Sequence, residues 1–519
     1  MSVPARPQLS SLLESLKIPV EFLRYDEIEL EQRQRLERWK IAAIENLQQL
    51  KRIVKGNAVD SGESLRVVDR ADIILATAPF AWSLESLDLQ AKGCVFEEER
   101  KVLHRECSWI LTESQTIAHD IIAILNTQDQ LVLKQILSDA IKPAFLSSNP
   151  HPSINSQTGK SLQPSQILRP PQQGGFSSVT QDFYESEGQR WKTWVGLGAI
   201  LYCCVSNLQE STYEGVWHLV IPPLMTYLDD YQAPYKLWGL IIADAMLKRV
   251  PPSLLWKTGI DGLLRSSFNK ALAHQELPHG PPVLRLAIKQ SITLIVLTTQ
   301  EGSHERFDQL CTLLGEGIIT GIWTYAFDKP EIVQATLCAL PDLVRVLDVG
   351  CVRFLRMLIP QIVQPLVLPS ATPLIPGIPS IDPPQLQLQI SSLKVLIPLI
   401  DVCAPRISGW RLNILDGLVR CWVSMLVDRS NGFVLNSTKT PREPDSDDED
   451  QDDGDSVPST QNTGGSLDGD TRNDLLELKG LLQTSCLKLS DACPSMKAEY
   501  ERLLETDPRA FAEFFELVK

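Results

Sequence analysis

Apolar helical stretches in pairs, joined by short polar turns, are the feature that most restricts how this chain can fold. Between Tyr213 and His274, apolar residues recur every three or four positions, first up to Asp229-Asp230 and then up to Pro251-Pro252. This spacing places apolar side chains on one face of an α-helix. Proline ends the second helix because it lacks a backbone N–H. A third helical pattern covers Ser253–Phe268.

Helix, turn, helix and proline stop form the unit of an α-solenoid, in which each helical pair buries its face against the next. The same periodicity predicts further helices along the chain, and no stretch alternates apolar and polar residues as a strand would. We therefore predict an all-α protein, an irregular HEAT-like solenoid without a repeat of fixed length. The additional predicted helices are Leu36–Val54, Glu97–Leu125 (with Ser114 as its one polar interruption), Val283–Leu297, Phe307–Leu314, Glu331–Leu347, Val352–Val363, Leu393–Ile400 and Leu412–Leu426.

Composition shifts divide the chain into five regions. Stretches rich in proline, serine, glycine or acidic residues bury too little apolar surface to fold alone. The predicted regions are an N-terminal helical region (1–146), a disordered linker (147–180), a helical-repeat body (181–435) with a proline-rich surface loop (369–385), an acidic disordered segment (436–474) and C-terminal helices (475–519). Asp507-Pro508 predicts the start of the last helix, an acidic cap followed by proline at the first helical position.

Charge and hydropathy argue against nucleic-acid and membrane partners. The formal net charge is −15, but nine of the acids lie between Glu443 and Asp455. The remainder is mildly acidic and has no basic stripe for phosphate backbones. The longest apolar run, Trp194–Val205, is far shorter than the roughly 20 residues that span a bilayer, and the N-terminus lacks the apolar core of a signal peptide.

The chain has no recognisable catalytic or metal-binding motif. Its eleven cysteines form no CxxC pair, which indicates a reducing compartment, and its seven histidines are scattered without ligand spacing. Gly315, Gly317 and Gly321 have the wrong spacing for a dinucleotide fingerprint and are interpreted as helix termination. The pair Asp229-Asp230 is interpreted as helix capping and turn formation. We predict no catalytic residue, no metal and no cofactor.

One serine within the acidic segment has acids on both sides. Asp445, Ser446, Asp447, Asp448 and Glu449 match the substrate pattern of an acidophilic kinase such as casein kinase two. A phosphate would add nearly two negative charges and three acceptor oxygens, suited to a pocket lined by lysine or arginine. The alternative is a solvated tail that aids solubility.

The segment Trp217–Gly239 resembles the Tel-two-interacting-protein-two family, whose members are the small subunit of the TTT co-chaperone complex. The matching residues are Pro222, Pro223 and Leu224, then Leu228, Asp229 and Asp230, and finally Lys236 and Gly239. Trp191-Lys192 and the glycine-containing helix after it are also similar. The resemblance covers about Gln181–Ala273.

The resemblance implies a non-catalytic HEAT-like protein that binds the large TTT subunit, which also carries the Tel-two subunit. The complex would deliver phosphatidylinositol-three-kinase-related kinases to the Hsp-ninety chaperone and so serve DNA-damage, TOR and telomere signalling, in the cytoplasm and nucleus. A PIH-domain adaptor of that chaperone recognises phosphorylated motifs of the Asp445–Glu449 type, although the family typically places this motif in the Tel-two subunit. The alternative is an importin-like or other HEAT-repeat adaptor.

Overall fold

The described part of the protein is helical. A computed structural model describes residues 6–60, 65–82, 107–125, 129–146, 153–162, 189–326, 328–367, 383–432 and 469–518. Within these ranges no strand is present beyond an isolated bridge between Ile154 and Ser161. The all-α prediction is therefore confirmed. The chain divides into two compact units, Met1–Leu343 and Val344–Lys519. These units do not follow the five predicted regions, and the boundaries of those regions that lie outside the described residues stay a prediction.

The first unit contains sixteen described α-helices, the last of which ends four residues beyond it. Short 3₁₀ turns lie at Val20–Arg24 and Glu210–Thr212, and π-helical segments at Leu137–Ile141 and Leu313–Trp323. The helices are Arg6–Ser15 (α1), Leu30–Asp60 (α2), Val67–Ala81 (α3), Thr112–Leu125 (α4), Gln130–Ile136 (α5), Lys142–Leu146 (α6), Arg190–Thr193 (α7), Leu197–Asn207 (α8), Tyr213–Asp229 (α9), Ala233–Leu247 (α10), Pro252–Thr258 (α11), Ile260–Leu272 (α12), Gly280–Thr298 (α13), His304–Thr312 (α14), Thr324–Ala326 (α15) and Pro330–Leu347 (α16).

The core of this unit is a series of packed helical pairs. Helix α9 packs on α10, α10 on α13, and α12 on α13, and α8 also packs on α10. A bent pair of helices in the second unit would be long and apolar enough to span a membrane if it formed one span. Helix α13 is also long and apolar enough, yet 78% of its most apolar 18-residue stretch is buried inside the protein. Burial of that extent is what a core helix shows.

Two predicted helices are divided or shortened in the structure. The pattern Ser253–Phe268 was predicted as one helix, but it forms α11 and α12, because Gly259 between them has φ +70°, a conformation that glycine adopts without a steric cost. The predicted helix Glu97–Leu125 begins at Thr112 in its described part. Ser114 accepts a hydrogen bond from the Leu111 N–H at 3.0 Å, so this polar residue caps the helix start.

The glycines Gly315, Gly317 and Gly321 do not end a helix. They lie inside the π-helical segment Leu313–Trp323, which continues directly from α14. The interpretation as helix termination was wrong. Spacing alone cannot distinguish a helix end from a π segment, because both interrupt the 3.6-residue period.

Ten residues of the predicted linker form a turn that packs on the first unit. Asn155 accepts side-chain hydrogen bonds from the N–H groups of Gln157 and Thr158, and the Ser161 N–H donates to the Thr258 carbonyl at 2.9 Å. A Cβ at Gly159 would lie 3.0 Å from the Trp217 carbonyl oxygen. Residues 153–162 are therefore ordered, whereas the sequence predicted that 147–180 is a disordered linker. The remaining residues of that region lie outside the described ranges.

The second unit packs its helices around buried aromatic residues. Helix α18 packs on α21 and α17 on α20, and Trp422 stacks on Phe514 with ring centroids 4.8 Å apart. The helices are Leu355–Val367 (α17), Pro383–Val402 (α18), Ala404–Ile407 (α19), Arg411–Gly432 (α20), Gly469–Ala492 (α21), Lys497–Thr506 (α22) and Pro508–Phe511 (α23), with 3₁₀ turns at Asp348–Phe354, Ser408–Trp410, Pro494–Met496 and Glu516–Val518. As predicted, Asp507 caps α23 by accepting from the N–H groups of Arg509 and Ala510.

Both low-complexity stretches of this unit end earlier than predicted. Helix α18 begins at Pro383, so residues 383–385 belong to it and not to the loop 369–385, because proline is tolerated in the first helical turn. Helix α21 begins at Gly469, inside the predicted segment 436–474. Asp474 there accepts a hydrogen bond from the Gln387 side chain at 2.6 Å, which fastens α21 to α18.

The described cysteines are free thiols, and most of them are buried. Burial raises the pKa of the Cys204 thiol well above its ordinary value, and that of Cys421 to about 12. The thiolate is the nucleophile and the metal ligand, so these cysteines act as small apolar core residues.

Candidate protein-interaction groove

The residues that carry the family resemblance lie where α9 crosses α10. Leu224 and Leu228 are fully buried in α9. Gly239 of α10 faces them so closely that a Cβ there would lie 2.7 Å from the Leu228 backbone nitrogen. Glycine is therefore required at this crossing, because any side chain would push the two helix backbones apart.

Two prolines lie inside α9 ahead of this crossing. Pro222 is half-buried and Pro223 is buried. Neither can donate a helical hydrogen bond, which leaves carbonyl groups free in the preceding turn and favours a bend. The Thr226 hydroxyl donates to the Pro222 carbonyl at 2.9 Å. These residues shape the helix and carry no reactive group.

The charged members of the same motif hold neighbouring elements together. Lys236 is buried and its Nζ donates to the Leu228 carbonyl at 2.8 Å; burial lowers its pKa. Asp229 accepts from the Ser267 hydroxyl at 2.8 Å, which ties α9 to α12. Asp230 accepts from the Gln232 N–H at 2.9 Å, an arrangement typical of an Asx turn, and pairs with Lys192 at 2.7 Å.

A groove of about 590 Å³ opens beside this crossing, within the first unit. Four segments line it. They are the N-terminal 3₁₀ turn with the residues after it (Phe22–Glu27), α7 with the residues that lead into α8 (Trp191–Gly198), the turn from α9 into α10 (Tyr227–Trp238), and the connection that contributes His274, Glu276, Leu277 and His279, together with Trp109.

An aromatic cluster forms one wall of the groove. The Trp191 ring meets the Tyr227 ring edge-on at 5.0 Å and the Tyr235 ring at 4.9 Å, and Phe145 stacks on Trp191 at 5.4 Å. Such geometries are favourable for aromatic pairs. The cluster gives the groove a rigid wall, because large rings packed on several sides have few alternative rotamers.

Lys192 closes one side of this wall. Its Nζ lies 5.0 Å from the centroids of both the Tyr231 and Tyr235 rings, and 5.2 Å from that of Trp191. With Asp230 at 2.7 Å, the ammonium group has both an ionic and several cation–π partners. The pair Lys192–Asp230 therefore fixes α7 against the turn between α9 and α10.

The glycines beside the groove allow this close packing. Gly196 has φ +82°, and a Cβ there would lie 2.7 Å from Pro79. A Cβ on Gly198 would lie 2.6 Å from the Trp238 ring. Trp238 in turn contacts Trp82, with centroids 4.9 Å apart. The groove wall thus depends on small residues as much as on aromatic ones.

The groove has the chemistry of a binding surface. Burial lowers the pKa of His274, and the groove's carboxylates are on exposed residues. Within the described ranges, no group of three or more His, Cys, Asp or Glu residues could hold a metal ion. Aromatic and aliphatic surface bordered by exposed charged residues suits protein recognition.

Sequence reasoning found part of this site. Trp191, Lys192 and the pair Asp229-Asp230 were identified from the sequence, but the contribution of Phe22–Glu27 and of the 274–279 connection was missed. The only signal was a cluster of aromatic residues near the N-terminus, which does not say what they pack against. The phospho-docking motif Asp445–Glu449 lies outside the described residues and stays a prediction.

Comparison with known proteins identifies the family. A model of the Tti2 family matches residues 102–373, a range that holds α7 to α10 and most of the groove. No solved structure matches the chain. Because the family match spans more than half of the 519 residues, the chain belongs to the Tti2 family, whose members are subunits of the TTT complex.

Proposed function

We propose that this protein is a non-catalytic scaffold subunit of the TTT complex. In this role it would bind the large TTT subunit, and through it the Tel-two subunit, with a HEAT-like arrangement of its helical pairs. The observation that carries the proposal is the family match over residues 102–373. The Tti2 family is a scaffold-type family and not a known enzyme family.

The complex would support Hsp-ninety-dependent maturation of phosphatidylinositol-three-kinase-related kinases, and so DNA-damage, TOR and telomere signalling in the cytoplasm and nucleus. The test is rapid depletion of the protein from cells, followed by measurement of the levels of newly made kinases. We expect these kinases to fall while unrelated kinases stay constant, and re-expression of the wild-type chain to restore them. Unchanged kinase levels after complete depletion would contradict this role.

Assembly is best tested with purified components. Co-expression of the full chain with the large TTT subunit should give a complex that survives size-exclusion chromatography. Because apolar and aromatic anchors would carry the affinity, raising the salt from about 0.1 to 0.5 M should weaken the complex only slightly. Dissociation at moderate salt would indicate an electrostatic interface instead.

Ser446 carries a separate proposal about the chaperone link. Phosphate on Ser446 would offer a compact group able to take several charge-assisted hydrogen bonds, each worth about 1.5–3 kcal/mol. A phosphorylated peptide covering residues 443–455 should then bind the PIH-domain adaptor, and the unmodified peptide, already rich in carboxylates, should not. Equal affinities, or no binding by either peptide, would leave the run as a solubilising tail.

A further inference from the structure

Four exposed apolar side chains surround the groove and form one surface with it, here called the groove rim: Leu23, Trp194, Tyr231 and Leu277. Single exposed apolar residues are ordinary on a soluble protein. Several around one concave aromatic site mark a surface that a partner covers. Tyr231 is the clearest case, because 79% of it is exposed although it sits between two packed helices.

Acidic residues outnumber basic residues at the groove. Asp26, Glu27 and Glu276 are exposed acids among the lining residues, whereas the described cations there are Arg24 and Lys192. Lys192 is already paired with Asp230 and lies against three aromatic rings. The groove therefore presents apolar surface together with an excess of negative charge.

We infer that the groove binds a segment of a protein partner that carries bulky apolar anchors flanked by lysine or arginine. The apolar anchors match the rim and the aromatic wall, and the basic residues match Glu27 and Glu276. This inference rests on the proposed function, since the partner is another subunit of the complex, and it specifies which surface of this chain makes the contact.

The dimensions favour a segment with several anchors. A volume of about 590 Å³ is large enough for more than one bulky side chain, and apolar groups lie around the opening as well as inside. Peptides that dock on such grooves bind through a few apolar anchors at regular spacing. Charged neighbours of the anchors then add register and association rate more than affinity.

The first experiment removes one anchor contact. The full chain with Tyr231→Ala is titrated against the purified large TTT subunit by biolayer interferometry. We expect the dissociation constant to rise at least about tenfold, as for an interface hot spot. The matched control is Tyr325→Ala, because Tyr325 is 71% exposed and does not line the groove. Its affinity should stay within about twofold of the wild type.

The second experiment tests the charges with exposed residues only. Glu27→Lys combined with Glu276→Lys should weaken binding several-fold at about 0.1 M salt, and the difference should shrink at about 0.5 M because salt screens exposed charges. Glu301→Lys, an exposed acid away from the groove, should have no such effect. Melting curves of all variants should match the wild type.

The outcomes separate the two proposals. If the wild-type chain binds the large subunit and the groove variants bind equally well, the groove inference is wrong and the proposed function stands. If the wild-type chain does not bind, both fail. Selective loss in the groove variants, with intact folding and unaffected control variants, supports the groove as the contact surface.

Discussion

The helix crossing at Gly239 and the groove beside it use the same helices, α9 and α10, in opposite ways. The two helix backbones pack closely at the crossing and bury Leu224, Leu228 and Gly239 between them. Just after α9 ends, Tyr231 is left on the surface, and so is Trp194, which follows α7 and lines the same groove. The residues that carry the family resemblance therefore serve packing, whereas the surface available to a partner lies at their edge.

The crossing and the groove are not independent, because polar residues link them. Asp230 follows the buried end of α9 and holds Lys192 at 2.7 Å, and Lys192 in turn lies beside Tyr231 in the groove. The packing core therefore positions the exposed aromatic residues. We expect substitutions to destabilise the protein less the farther they lie from the crossing, and the following predictions test this trend.

The largest effect is expected for Gly239→Ala. The new Cβ would lie 2.7 Å from the Leu228 nitrogen, so the helices must separate, and we expect a loss of about 3 kcal/mol in unfolding free energy. The measurement is urea denaturation followed by tryptophan fluorescence. Gly262→Ala is the control, because nothing lies within 4 Å of its Cβ position. It should stabilise the helix by about 0.5–1 kcal/mol. Equal behaviour of the two variants would contradict the close crossing.

The second effect concerns Asp244 on α10, which is buried and accepts from Gln290 Nε2 at 2.7 Å and pairs with Lys248 at 2.8 Å. Burial alone would raise the pKa of this carboxyl, but the hydrogen bonds from Lys248 and Gln290 and the charge of Lys289 together hold its pKa below the ordinary value. Asp244→Asn should lose about 2 kcal/mol at neutral pH.

The pH dependence of that loss has a definite sign. A depressed carboxyl pKa stabilises the fold fully above the unfolded value of 3.8 and ceases to do so as the pH falls through the folded value. The gap between wild type and Asp244→Asn should thus be constant near neutrality and shrink below about pH 4. Asp416→Asn, in an exposed pair with Arg420, should cost about 0.5 kcal/mol or less at any pH.

An intermediate effect is expected for Lys192→Met, which keeps the apolar stem but removes the charge. It leaves the half-buried Asp230 carboxylate without its ion-pair partner and removes the cation–π contacts, at a cost of about 1 kcal/mol. Lys17→Met provides the comparison, because the pair Lys17–Glu14 is exposed on both sides and should contribute almost nothing. A thermal melt distinguishes the two. A Lys192→Met variant as stable as the wild type would show that the groove wall does not depend on this pair.

The smallest effect on stability is expected for Tyr231→Ala. Because most of this side chain is in solvent, the unfolding free energy should change by no more than about 0.5 kcal/mol, while partner binding should fall as described above. Differential scanning calorimetry on the isolated chain checks the first part. A large destabilisation would show that Tyr231 contributes to the packing of the protein, like the residues at the crossing.

The sequence predicted the local elements well where apolar spacing and proline agree. The pair α9 and α10 is an example, since Asp229-Asp230 marks the end of α9 and Gln232-Ala233-Pro234 the start of α10. Pro251-Pro252 marks the start of α11, four residues after the end of α10. The break at Gly259 was missed, because a left-handed glycine leaves the apolar period on both sides almost unchanged.

The groove could not be predicted from spacing. Phe22 and Trp191 line the same cavity although some 170 residues separate them along the chain, and only tertiary packing brings them together. The turn at residues 153–162 was missed for a related reason. Its composition is that of a linker, and its order comes from contacts with Trp217 and Thr258, which local patterns do not reveal.

The rate at which the buried thiols react can report how often the helices around them open. A reagent that alkylates thiolates cannot reach a cysteine such as Cys204 or Cys421, both fully buried, until the surrounding helices open. Cys204 belongs to the first unit and Cys421 to the second. Mass spectrometry of alkylated peptides over time would therefore give a separate opening rate for each unit, without adding a probe to the chain.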